Sequence, residues 1–207
     1  MERGHRRQAA PRVGVQAPDV AGVNGPDSEV LLRELALQGH VYLWGPITEE
    51  TARRCAWWLH WAEEHSYADP LYLWICSPGG DLYQALALHD IVDGLKRDVC
   101  TVAVGWTASG GVLVLQAGST RYAMPGAWLM IHEVQVGLPA ELRASDLADE
   151  ATLVERLNEL VLDIYAKRAS VKRRTLRRLY ERRDAWMDAR EALRYGLVDA
   201  IWGGDVG

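Results

Sequence analysis

Apolar residues along the chain fall into short continuous runs that alternate with stretches of helical period. His40-Val-Tyr-Leu-Trp44, Leu71-Tyr-Leu-Trp-Ile-Cys76 and Val99 to Val104 read as strands, ended by Gly45-Pro46, Ser77-Pro-Gly-Gly80 and Gly105. Leu71–Cys76 is apolar at nearly every position, which predicts a strand covered on both faces. Between these runs, Thr48 to His65 places Ala52, Cys55, Ala56, Leu59 and Ala62 on one helical face. Asp81 is placed to cap a helix that buries Leu82, Ala85, Leu86 and His89 and ends near Gly94. Thr120 to Met124 and Ala127 to Ile131 form a strand pair joined by Pro125-Gly126. A long helix follows, roughly Arg143 to Lys167, with Leu147, Leu153, Leu157, Leu160, Val161 and Ile164 in its apolar stripe. Asp188-Ala-Arg-Glu191 is a capping-box pattern opening a short helix that ends at Gly196, and Leu197 to Ile201 reads as a last strand. Alternation of strand and helix predicts one α/β domain with a parallel-rich sheet over residues 27–207. Residues 1–26 carry no period and read as a mobile or processed segment, and Glu29 to Leu37 reads as a short helix.

Composition narrows the function classes. The 207 residues carry 49% hydrophobic and 25% charged positions and a net charge of -5. An acidic chain is a poor fit to nucleic acid or an anionic membrane. No apolar run approaches the ~20 residues of a membrane span, and the N-terminus shows no secretory h-region, so a cytoplasmic protein is expected. Cys55, Cys76 and Cys100 lie in apolar runs and read as buried, reduced thiols. There is no C-x-x-C pair, and His60 and His65 are five apart, off a common helix face, so no metal site is expected. The basic run from Lys167 to Arg183 spaces Arg173, Arg174, Arg177 and Arg178 as a solvated helix face or a subunit contact.

Candidate chemistry centres on Gly105-Trp-Thr-Ala-Ser109-Gly-Gly111, at a strand-to-helix junction. A helix start leaves N–H groups unpaired, and such donors can hold a developing oxyanion. The plainer alternative makes Ser109 an N-cap in a turn of small residues. The spacing is not the G-x-S-x-G of the α/β-hydrolase elbow. Ser77-Pro-Gly-Gly80 is either a tight turn or a backbone that must approach something closely. His132 ends a strand, where α/β folds build sites. Together with the later Asp184, Ser109 and His132 are the residue types of a nucleophilic triad: a hydroxyl, a base to remove its proton, and a carboxylate to fix the base.

Several separate motifs between His40 and Trp202 resemble the ClpP family, the proteolytic subunits of the Clp protease, within the crotonase-like superfamily. They are Gly45-Pro-Ile-Thr-Glu-Glu-Thr-Ala52, Tyr72-Leu-Trp-Ile-Cys-Ser-Pro-Gly-Gly80, Thr107-Ala-Ser-Gly110, Met130-Ile-His132, Arg183-Asp184 and Glu191-Ala-Leu-Arg-Tyr-Gly-Leu-Val-Asp199. The resemblance implies Ser109 as nucleophile, His132 as general base, Asp184 as orienting acid, and the backbone N–H groups of Gly80 and Gly110 as the oxyanion hole. It implies a handle helix after Leu138 and a closed barrel of two seven-membered rings, homomeric or mixed. A ring-shaped AAA+ ATPase feeds such a barrel with unfolded polypeptide. No G-x-x-x-x-G-K-[ST] is present, so no cofactor is expected in this chain and ATP belongs to the partner. The ATPase is expected to dock near Tyr72 and Trp74, which would otherwise be core residues. Trp106, Thr107, Gly110, Glu133-Val134 and Arg182 depart from the residues usual in the family.

Three rival readings remain, the weakest an acyl-CoA enzyme of the crotonase group, which leaves the triad residues unexplained. A signal-peptide peptidase shares the fold, but it uses a lysine base, and Lys96, Lys167 and Lys172 lie outside the matched motifs. A catalytically silent ring subunit would build the barrel or dock the ATPase; such subunits usually lose a triad residue, and all three types are present here.

Overall fold

A computed structural model describes residues 26–135, 144–181 and 184–203. The elements run α1 (Pro26–Leu37), β1 (His40–Trp44), α2 (Glu49–His65), β2 (Leu71–Ser77), α3 (Leu82–Gly94), β3 (Val99–Ala108) and α4 (Gly110–Leu115). They continue through β4 (Thr120–Ala123), β5 (Trp128–Ile131), α5 (Ala144–Ala166), α6 (Arg173–Tyr180), β6 (Ala185–Asp188), α7 (Ala189–Tyr195) and β7 (Ala200–Ile201). The N-terminal residues 1–25 lie outside the described residues, as does Arg182.

Local chemistry sets the helix ends. Thr48 caps α2 in a capping box with Thr51, and Asp188 caps α7 in a second with Glu191. Gly196 ends α7 in the left-handed region at φ 75°, where a Cβ would stand 2.2 Å from the Ser170 nitrogen. The buried face of α2 is Ala52, Cys55, Ala56, Leu59 and Ala62, as the period predicts. Burial pushes the Cys55 thiol up to about 12, so it stays protonated and inert.

The sheet orders its strands β1-β2-β3-β4-β7, all parallel. Its key departure from regularity is a fork in β3. Residues Cys100–Ala103 pair with β4, while Trp106–Ala108 pair with β5, also in parallel. Gly105 (φ 57°) stands at the fork, where the register between β2 and β3 shifts. Antiparallel β6 then closes the small sub-sheet against β5. The sequence pattern ends β3 at Val104 and contains no β6. Both extensions depend on pairing with strands distant in the chain.

A second correction concerns β2. Only Leu71, Leu73 and Ile75 face the core, while Tyr72, Trp74 and Cys76 are half-buried. The strand is therefore covered on one face. On its open face Tyr72 and Trp74 join His40, Tyr42, Tyr122 and Trp202 in one aromatic cluster, with Trp74 Nε1–H donating to His40 Nδ1 at 3.0 Å. In α5 the stripe divides. Leu157, Val161, Leu162 and Tyr165 are buried, whereas Leu147, Leu153 and Leu160 are exposed.

Candidate active site

Ser109 is the residue between β3 and α4. It occupies the N-cap position but makes no side-chain cap, and its backbone stands at φ 53°, ψ −122°. A non-glycine residue there is strained by about 1–3 kcal/mol. The strain turns the hydroxyl away from the helix: Ser109 Oγ lies 2.8 Å from His132 Nε2. The plain N-cap reading of Ser109 is thereby replaced by a serine–histidine contact. The fork in β3 makes this contact possible. Ala108 pairs with Met130, and Ser109 N donates to the Met130 carbonyl at 2.8 Å. Ser109 and His132 therefore stand side by side at the C-terminal ends of adjacent parallel strands.

Gly79 and Gly80 bring a second backbone against the serine. A Cβ on Gly79 (φ 89°) would meet Ser109 Cβ at 2.7 Å and Gly110 N at 2.8 Å. A Cβ on Gly80 (φ 150°) would meet the Ile47 carbonyl at 2.2 Å. Only glycine allows both approaches. Ile47 N donates to Gly79 O at 2.8 Å and Asp81 N to Ile47 O at 2.9 Å, which locks the loop. The Gly80 N–H donates to no acceptor among the described residues, and Gly110 opens α4, where the N–H has no intrahelical partner. Gly80, Ser109 and Gly110 line one cleft.

Asp184 is the residue that the geometry leaves apart. Ile131 pairs with Ala185 in the antiparallel β5–β6 ladder, so Asp184 stands across from His132. Yet Asp184 is exposed, and His132 Nδ1 is buried with no hydrogen-bond partner among the described residues. No metal-ligating cluster of His, Cys, Asp or Glu occurs among the described residues.

A cleft of about 450 Å³ opens beside the pair, lined by Gly80, Ser109, Gly110 and His132 together with residues of α5 and α6. Asn158 on α5 fixes its far wall: Oδ1 accepts from Val134 N at 2.8 Å and from the Tyr180 hydroxyl at 2.7 Å. Asn158 and Gly79 are the site residues that sequence reasoning missed. The signal for Gly79 was present in Ser77-Pro-Gly-Gly80; a mid-helix asparagine carries none.

The family model for Clp protease matches residues 25–205. The chain belongs to the Clp protease family. A relative in this family, the ATP-dependent Clp protease proteolytic subunit of Nephroselmis olivacea, is 41% identical over 134 residues, or 64% of this chain. The match spans about 63% of that relative's length. The mixed α/β domain with its parallel-rich sheet is the Clp protease fold. No helix among the described residues is long and apolar enough to cross a membrane.

Proposed function

We propose that the protein is a serine endopeptidase in which Ser109 attacks the peptide carbonyl. The observation that carries this reading is the 2.8 Å contact between Ser109 Oγ and His132 Nε2, made by a serine in a strained strand-to-helix turn. His132 accepts the hydroxyl proton as Oγ bonds to the carbonyl carbon. Negative charge moves to the carbonyl oxygen, where the N–H groups of Gly80 and Gly110 stabilise it. His132 then gives the proton to the leaving amine, and water, activated by the same imidazole, releases the acyl group. The imidazolium formed along the way needs an acceptor at Nδ1. Asp184, across the β5–β6 ladder, supplies it by turning inward when subunits assemble or substrate binds.

In the full assembly, two seven-membered rings, homomeric or mixed, enclose these sites, and an AAA+ ATPase feeds them unfolded polypeptide. The chain itself uses no cofactor. Membership in the Clp protease family and the ATP-dependent name of the relative support this arrangement. The exposed leucines of α5 fit a ring-to-ring contact, and the half-open aromatic face around Trp74 fits ATPase docking. A fluorophosphonate probe should label Ser109, and Ser109→Ala should abolish labelling. Labelling at another serine with Ser109 untouched would sink the assignment.

One observation favours a second reading, a catalytically silent ring subunit: His132 Nδ1 has no partner among the described residues. Asp184→Asn separates the two. In the peptidase it lowers kcat by orders of magnitude, as loss of a coupled catalytic group does. In a silent subunit neither form reacts with the probe.

A further inference from the structure

His132 sits just past the end of a ladder. The β5–β6 pairing stops at Ile131 and Ala185, so the backbone that carries the histidine leaves the sheet at once. Two residues on, the Val134 N–H donates to Asn158 Oδ1 at 2.8 Å. The histidine is thus held between two anchors, Ile131 in the sheet and Val134 on α5. The second anchor is itself braced. The Tyr180 hydroxyl donates to the same Oδ1 at 2.7 Å, and the oxygen is the one atom of an asparagine amide that can accept from both. Tyr180 is 2% exposed, and burial pushes its phenol well above the ordinary tyrosine value, so it keeps the proton it donates. Its helix, α6, is tied to α5 beside the asparagine: Glu159 accepts from Arg173 and from Arg177 at 2.7 Å each, and Asp163 from Arg173 at 2.6 Å.

An acceptor shared by a backbone N–H and a fixed phenol has little freedom, because turning the amide weakens both bonds. The bond at Val134 therefore limits how far the intervening chain can drift from the position that sets His132 Nε2 at 2.8 Å from Ser109 Oγ. Transfer of the hydroxyl proton depends steeply on that distance. We infer that Asn158 is a positioning residue for His132: through Val134 it fixes the backbone next to the base, and so the base against the nucleophile. The inference rests on the peptidase reading of Ser109 and His132 and extends its machinery to α5. Asn158 acts through the backbone and not on substrate. Its bonds go to Val134 and Tyr180, and the cleft is lined by its neighbour Leu157. An asparagine that merely fastened α6 to α5 would contribute to stability and leave the kcat of the folded protein unchanged.

The test separates geometry from stability. Full-length wild type, Asn158→Ala, Asn158→Asp and Tyr180→Phe are compared in the size-separated fraction of wild-type mass, each with its urea transition. Asn158→Ala removes the accepting oxygen, Asn158→Asp keeps it, and Tyr180→Phe removes the brace alone. On a short fluorogenic peptide, Asn158→Ala should lower kcat about tenfold, leave KM within about twofold, and slow fluorophosphonate labelling of Ser109 by the same factor as kcat. Asn158→Asp should return kcat to within about threefold of wild type, and Tyr180→Phe should fall between wild type and Asn158→Ala. An unchanged kcat in Asn158→Ala, a loss confined to KM, or Asn158→Asp as slow as Asn158→Ala would overturn the inference. Should Asn158→Ala show no urea transition, Tyr180→Phe carries the test, and an unchanged kcat there overturns it. A wild type that neither hydrolyses peptide nor takes the probe overturns the peptidase reading and the inference with it. A wild type that does both, beside an equally active Asn158→Ala, overturns the inference alone.

Discussion

Ser109 trades backbone energy for chemistry. Its φ of 53° belongs to glycine, and its hydroxyl is withheld from the helix N-terminus it could have capped. Both costs vanish if the residue need not present Oγ to His132. Ser109→Gly should therefore be more stable than Ser109→Ala by about 1 kcal/mol, since alanine is strained at this positive φ and glycine is not. Urea denaturation of the two inactive variants measures this directly. Equal stability would mean that the turn is unstrained. Gly79 is the matching constraint on the other strand, where any Cβ meets Ser109 Cβ at 2.7 Å.

Among the elements, β4 carries the largest electrostatic commitment. Arg121 is buried to 1% exposure and is bound through its side chain by Asp199 at 2.6 Å and by Gln116 Oε1 at 2.6 Å. Arg168, after α5, reaches the same Asp199 at 2.7 Å. This cluster fastens β4, the C-terminal end of α4 and the entry to β7 into one unit. Burial by itself would raise the Asp199 carboxyl. The hydrogen bonds from Arg121 and the charges of Arg121 and Arg168 outweigh burial and hold it below the ordinary aspartate value of 3.8. A carboxyl depressed in the folded state stabilises the fold above its unfolded value and loses that contribution as pH falls through its folded value. Asp199→Asn leaves Arg121 buried without a counter-charge and should cost about 3 kcal/mol at neutral pH. Chemical denaturation at neutral pH and below pH ~4 should show the gap between wild type and variant narrowing in acid. A gap independent of pH would remove the ion pair from the stability of this unit.

For the whole molecule, exposed apolar surface points to assembly. Leu147, Leu153 and Leu160 leave an uncovered stripe on α5, a helix of 23 residues whose other face packs on the core. In a barrel that stripe is covered by the opposing ring. Light scattering should give about fourteen subunits, the closed dihedral assembly of the proposal. Leu153→Glu with Leu160→Glu should shift the population towards single rings. A monomer at every concentration, still active on peptides, would refute the barrel. In the proposed barrel, enclosure would also set the substrate: unfolding a domain costs about 5–15 kcal/mol, and the sequence carries no G-x-x-x-x-G-K-[ST] motif with which to supply it. Short peptides should be cut by the chain alone, and a stably folded protein only when a matching Clp ATPase and ATP are added.

The sequence by itself determined the parts whose physics is local. The buried face of α2, the capping box at Asp188, the bounds of α5 to within a residue and the Gly196 stop all depend on residues within a turn or two of each other. The motifs around Ser109 and His132 were legible for the same reason, because a strained turn and a strand end are marked by small residues and Gly-Pro punctuation. Tertiary structure alone decided what required distant partners. Four residues, Ala185–Asp188, become a strand only because β5 is there to pair with them. β2 has an open aromatic face because no helix among the described residues covers it, which an unbroken apolar run could not reveal. The 2.8 Å contact of Ser109 with His132 exists because β3 forks at Gly105 and leaves β4 for β5. The antiparallel β5–β6 pairing, also between strands distant in the chain, sets Asp184 opposite His132.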